Sequence, residues 1–120
     1  MDGLAELKIL VVEDEPLIAM ALEEMLTDLG CTVVGPALSL ERGMRLATDE
    51  SIDGAILDVN LGGETVFPLA DLLAQRDVPF VYVTGYGALL RACDNGRPVL
   101  QKPYNAPALI KIASRWRRTA

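Results

Sequence analysis

Histidine is absent from the 120 residues, and cysteine occurs only at Cys31 and Cys93, without CxxC spacing. A zinc site and a His-activated thiol thereby lose their usual ligands and base, and both cysteines read as small buried hydrophobes. No long apolar run is present: Val78 to Leu90, the longest charge-free stretch, is broken by glycines and falls short of the ~20 residues a membrane helix needs. Positive charge is also short, since the net charge of -6 opposes the phosphate attraction that nucleic-acid surfaces use. Neither nucleic acid nor membrane is expected as a direct partner. Met1 to Lys8 carries Asp2 and Glu6 where a signal peptide would be basic and then apolar, so a reducing cytoplasm is the expected location.

What is present suits one folded domain spanning 1–120, with 51% hydrophobic and 23% charged residues. The basic residues Lys111, Arg115, Arg117 and Arg118 near the end read as cations favoured by the dipole of a last helical turn.

Along the chain, Leu7 to Val12 is an apolar, branched run stopping at the acids Glu13, Asp14 and Glu15, which predicts a buried strand feeding a charged loop. Pro16 then opens a helix carried by Leu17, Ile18, Ala21, Leu22, Met25, Leu26 and Leu29 and closed by Gly30. A second strand, Thr32 to Val34, precedes a break at Gly35-Pro36; Ser39 caps a helix with Leu40, Met44 and Ala47 inward, weakened by Gly43. A third strand, Ala55 to Leu57, delivers Asp58, and a loop with Gly62 and Gly63 leads to a helix from about Thr65 to Gln75, with Pro68 in its first turn. Pro79 to Val83 is a fourth strand ending at Thr84, Ala88 to Cys93 a short helix, and Val99 to Gln101 a fifth strand ending at Lys102. A final helix starts near Ala106, with Leu109, Ile112, Ala113 and Trp116 on one face that could support a weak dimer.

Alternating strands and helices predict an α/β fold, a three-layer doubly wound sandwich whose five-stranded parallel sheet runs 2-1-3-4-5 in the flavodoxin-like order. Such sheets place their site beyond the carboxyl ends of the strands. There the sequence delivers Glu13 and Asp14, Asp58, Thr84 and Lys102. Three carboxylates brought together repel unless a cation lies between them, and Mg²⁺ is the usual hard ion beside phosphate. Asp58 has the chemistry of a nucleophile towards phosphorus, Lys102 offers a compact positive charge, and Thr84 offers a hydroxyl hydrogen bond. Singly these residues have plainer roles: acids before a helix serve its dipole, Asp58 a turn, Thr84 a strand end, Lys102 solvation. The functional reading rests on four strand ends agreeing.

Leu10-Val11-Val12-Glu13-Asp14-Glu15, Leu57-Asp58-Val59-Asn60, Val83-Thr84-Gly85 and Gln101-Lys102-Pro103-Tyr104 together resemble the response-regulator receiver family of two-component signalling, over essentially the whole chain. The resemblance implies a phosphoprotein in which Asp58 takes phosphate from a sensor histidine kinase as an aspartyl phosphate. Asp14, Asp58 and the Asn60 backbone carbonyl would bind Mg²⁺, with Glu13 assisting directly or through water, while Lys102 and Thr84 grip the phosphoryl group. It also implies a cis Lys102-Pro103 peptide. Two positions depart from the pattern: Gly62 stands where a proline is frequent, and Val99 where the switch residue is usually aromatic.

Pro79-Phe80-Val81-Tyr82-Val83-Thr84-Gly85-Tyr86-Gly87 resembles a receiver subfamily with a Phe-Ala-Thr-Gly-Tyr-like signature, which implies an HWE-type kinase. Gly85 and Gly87 permit backbone freedom beside the site, so Thr84 to Cys93 is expected to reorder on phosphorylation. Within this reading the chain is no turnover enzyme; it assists only its own phosphorylation and dephosphorylation. Output goes through a downstream protein the sequence does not identify, or the chain serves as a phosphate sink. Two other classes fit parts of the pattern. A covalent aspartyl phosphatase would also use Asp58, but the second acid of its DxD pattern is here Asn60. A flavodoxin-like cofactor binder needs a Ser/Thr/Gly-rich loop where Glu13 to Glu15 stand.

Overall fold

The structure is a computed structural model that describes residues 4–85, 91, 94 and 96–117. Strands β1 (Lys8–Val12), β2 (Thr32–Ala37), β3 (Gly54–Asp58), β6 (Phe80–Thr84) and β7 (Val99–Gln101) form one parallel sheet in the order β2-β1-β3-β6-β7. This is the flavodoxin-like order. Helices α1 (Pro16–Asp28), α2 (Leu40–Asp49), α3 (Phe67–Gln75) and α4 (Ala106–Ala113) cover it, and a two-residue pair, β4 (Asn60–Leu61) and β5 (Glu64–Thr65), stands apart.

Both faces of the sheet are buried, which is why its central strands read as continuous apolar runs rather than alternating ones. On one face Leu10, Val12, Leu57, Phe80 and Tyr82 meet Ala47 of α2 and Leu69, Ala70 and Leu73 of α3. On the other, Ile9, Val11, Ile56, Val81 and Val83 meet Leu22 and Leu26 of α1 and Leu109 and Ala113 of α4. Cys31 is buried in this second layer; Cys93 and most of the short helix expected over Ala88 to Cys93 lie outside the described residues. Ser39 caps α2 by accepting the Arg42 N–H, as its position before Leu40 suggests.

Several boundaries differ from the sequence reading. Strand β2 does not stop at Gly35-Pro36: a register shift lets the ladder resume at Val12 and Ala37, and the Glu13 N–H donates to the Ala37 carbonyl. The loop after Asp58 is a tight hairpin in which Gly62 and Gly63 both have positive φ, as the type I′ form of a two-residue hairpin turn requires. Thr65, expected to open α3, is therefore a strand residue, and the helix starts at Phe67. Helix α4 ends at Ala113, which leaves only Lys111 of the described basic residues in its last turn; Arg115 and Arg117 lie past it, and Arg118 is outside the described residues. Lys111 fits the dipole reading, and Arg117 keeps a helix-end role by donating from Nη1 to the Ser114, Arg115 and Trp116 carbonyls.

Trp116 is nonetheless 5% exposed, because it lies on Gly54 at the start of β3. A Cβ at Gly54 would stand 2.1 Å from the indole Cε3, so only glycine lets the ring close over the strand. Gly54→Ala is expected to cost about 3 kcal/mol through overpacking, lowering Tm by roughly 10 °C. An unchanged melting curve would show that the indole is held elsewhere.

Candidate functional site

Parallel strands deliver their carboxyl ends to one edge, and the expected residues assemble there. Glu13 and Asp14 follow β1, Asp58 ends β3, Thr84 ends β6 and Lys102 follows β7. One carboxylate oxygen from each of Glu13, Asp14 and Asp58 lies within 4.8 Å of the others. The Lys102 Nζ donates to Glu13 Oε2 and to Asp58 Oδ2, both at 3.0 Å. Asp58 pairs in register with Val83, so Thr84 is the next residue along the neighbouring strand, and the Thr84 carbonyl accepts the Lys102 N–H at 2.8 Å. The Lys102–Pro103 peptide is cis, as the family resemblance implies.

Backbone donors hold the acids from behind. The second oxygen of Asp58 accepts the Asn60 N–H at 3.1 Å, while the Asn60 side chain accepts the Gly63 N–H at 3.2 Å within the hairpin turn. Glu13 Oε1 accepts the Glu15 N–H at 3.1 Å, which is the local helix-start role that an acid here can play, and Oε2 remains directed at Lys102. Glu15, the residue before α1, makes no side-chain cap, and Asp14 has no ion pair among the described residues. The hairpin turn lies beside Asp14: a Cβ built on Gly62 would stand 3.8 Å from Asp14 Oδ2.

The electrostatics follow from burial. Burial pushes the Glu13 carboxyl from its ordinary 4.5 up to about 7, against the opposing hydrogen bond from Lys102 and with the Asp58 charge adding to the rise. Burial works against the Lys102 ammonium, but its bonds to Glu13 and Asp58 outweigh that and hold it above its ordinary range. Three carboxyl groups around one ammonium leave a net negative charge carried on oxygen donors. That charge and donor set fit a divalent hard cation such as Mg²⁺ better than a softer metal.

A second polar cluster was not visible in the sequence. The Tyr82 hydroxyl donates at 2.6 Å to Asp94, a residue 4% exposed, and Asp94 also accepts the Arg91 N–H and both its Nε and Nη2 groups. Arg91 continues to Asp71 of α3 and lies over the Phe67 ring, 4.3 Å from its centroid. A tyrosine in a fully buried strand requires a hydroxyl partner, and that was the one available hint.

A parallel sheet with this charge arrangement at its carboxyl edge defines a receiver-type module. The family model described as "Response regulator receiver domain" matches residues 9–114, and the chain belongs to that family. It is similar to the phyllosphere-induced regulator PhyR of Methylorubrum extorquens, with 32% identity over 94% of this chain and 45% of that protein. The transcriptional regulatory protein PdtaR of Mycobacterium tuberculosis is 30% identical over 97% of this chain and 61% of its own length. The chain thus spans about half the length of the curated relatives it matches. Among solved structures, SdrG from Sphingomonas melonis Fr1 is 45% identical, covers 95% of this chain and 97% of its own, and superposes with a TM-score of 0.79.

Proposed function

We propose that the chain is a phosphorylation-controlled switch of two-component signalling, with Asp58 as the phosphoacceptor. The observation that carries this reading is the bridging of Asp58 and Glu13 by Lys102 beside a third carboxylate. Asp58, Asp14 and the Asn60 carbonyl would hold Mg²⁺, with Glu13 assisting directly or through water. When bound, the ion supplies charge neutralisation for the phosphoryl oxygens. An Asp58 carboxylate oxygen attacks phosphorus, the P–N bond of the donor phosphohistidine breaks, and the leaving imidazole takes up a proton. Lys102 and Thr84 then hold the transferred phosphoryl oxygens, Lys102 exchanging part of its carboxylate pairing for the new anion.

The donor is a sensor histidine kinase, of the HWE type if the Pro79 to Gly87 signature places the chain in that receiver subfamily. A surface suited to a helical donor lies beside the site: Leu17 and Met20 on α1 are 81% and 61% exposed, one helical turn apart. Leu17→Glu with Met20→Glu is expected to slow transfer from the kinase roughly tenfold or more while leaving labelling by a small donor unchanged. Equal slowing with both donors would remove the docking role from this stripe. Output passes from the cytoplasmic chain to a partner protein, or the chain acts as a phosphate sink.

The chain turns over no substrate beyond its own phosphoryl group. Phosphoramidate, a small P–N donor, should load one phosphoryl per chain, whereas p-nitrophenyl phosphate should not be hydrolysed repeatedly. Sustained turnover would favour the aspartyl phosphatase reading instead. Asn60 argues against it, since it places a carboxamide engaged in a turn where such enzymes carry their second acid.

A further inference from the structure

At the amino-terminal edge of the sheet, opposite Asp58, lies a cavity of about 810 Å³ formed by the starts of β3 and β6, the turn before β7 and the end of α4. We infer that this groove is a docking site for an acidic segment of a partner protein that carries apolar side chains between its carboxylates.

Its walls combine two features. Half-buried Pro79, Pro98 and Ile112 give it an apolar floor. Arg97, Lys111, Arg115 and Arg117 give it a cationic rim, and none of the four makes an ion pair with another described residue. Arg97 is already stacked over Phe80, 4.4 Å from the ring centroid, so its guanidinium is held ready and loses little freedom on binding. The lining carboxylates are Asp53, which accepts the Lys8 N–H, and exposed Asp77. The rim thus keeps a local positive excess on a chain whose net charge is -6.

Charge decides the occupant. Beyond about 8 Å the field of the rim is screened, so a short acidic segment confined to the groove feels its cations. A long nucleic acid would instead extend past them over a chain whose net charge is -6. The apolar floor adds a reason for a peptide, since it offers side chains a surface that phosphate and sugar cannot use. Occupancy at this edge leaves the carboxyl edge free for phosphoryl transfer.

The test uses a fluorescein-labelled peptide alternating Glu or Asp with Leu and Phe, compared with a Lys-for-acid version, poly-Glu and oligothymidylate. The chain has one tryptophan, Trp116, which lines the groove, so its indole N–H gives a single NMR reporter. The acidic-apolar peptide is expected to bind saturably and to shift that signal. Its Kd should rise roughly tenfold in Lys111→Glu with Arg115→Glu, and less in the milder Lys111→Gln with Arg115→Gln. Both side chains are exposed, so unchanged melting and unchanged acetyl phosphate labelling are expected alongside. No saturable binding, affinity that survives charge reversal, equal binding by poly-Glu, or tighter binding by the oligonucleotide would each overturn the proposal.

Discussion

Lys102→Ala is expected to destabilise the metal-free protein by about 3 kcal/mol and, at the same time, to enlarge the stabilisation gained from added Mg²⁺. The ammonium is the neutralising group shared by Glu13 and Asp58, whose side chains are 5% and 8% exposed. Removing it leaves two buried carboxylates facing each other. The variant can relieve that charge by keeping a proton on Glu13 or by binding a cation. Because burial already raises Glu13 from 4.5 to about 7, its contribution to stability is fully present below about 4.5 and is lost as pH rises through about 7. Loss of the Lys102 hydrogen bond moves that window higher still. Urea unfolding at pH about 6 and about 8, with and without MgCl₂, reads each of these effects. The wild type should be less stable at the higher pH without metal, and Mg²⁺ should recover most there. A Lys102→Ala variant with wild-type stability and wild-type Mg²⁺ response would show that the ammonium does not bridge the two acids.

Asp94→Ala should be similarly costly, about 3 kcal/mol, although the residue is remote from the carboxylate cluster in sequence. Burial works against the Asp94 carboxylate, but the Arg91 and Tyr82 hydrogen bonds outweigh it and keep its pKa below the ordinary value. That contribution is present above the unfolded carboxylate pKa and is lost in acid. Deleting the side chain leaves the Tyr82 hydroxyl buried without its acceptor and strips Arg91 of its inner carboxylate, leaving it the Phe67 ring and Asp71, which is 55% exposed. Such a surface pair contributes little. Tyr82→Phe, which removes one donor and leaves Arg91 on Asp94, should cost only about 1 kcal/mol. Chemical unfolding of the two variants separates the cases. If Tyr82→Phe costs as much as Asp94→Ala, the hydroxyl rather than the arginine is the dominant partner.

How much of this was legible in the sequence depended on the range of the interaction. The central strands were readable because they are buried on both faces, so Leu10, Val11 and Val12 or Ala55, Ile56 and Leu57 appear as unbroken apolar runs. The carboxyl ends of the strands then named Glu13, Asp14, Asp58, Thr84 and Lys102 without any knowledge of distance, because a parallel sheet brings such ends together. What local pattern could not supply was pairing across the chain. Gly35-Pro36 looked like a stop, yet the strand resumes after a register shift set by β1. Gly62-Gly63 looked like an open loop, but its pair of positive-φ glycines builds a hairpin that reaches Asp14. Gly54 carried no signal until Trp116, from the far end of the chain, was seen to cover it. Tyr82 and Asp94 are separated by the segment read as a short helix over Ala88 to Cys93, and only burial of both polar groups reveals their bond. Most of the Thr84 to Cys93 stretch expected to reorder on phosphorylation lies outside the described residues.

The central claim concerns one oxygen atom of Asp58, and intact mass with Phos-tag mobility after incubation with acetyl phosphate tests it most directly. The account predicts a single Mg²⁺-dependent, base-labile phosphoryl adduct on the wild type, abolished by EDTA and absent from a folded Asp58→Asn variant. An adduct that persists in Asp58→Asn, or that forms equally well without a divalent cation, would contradict it.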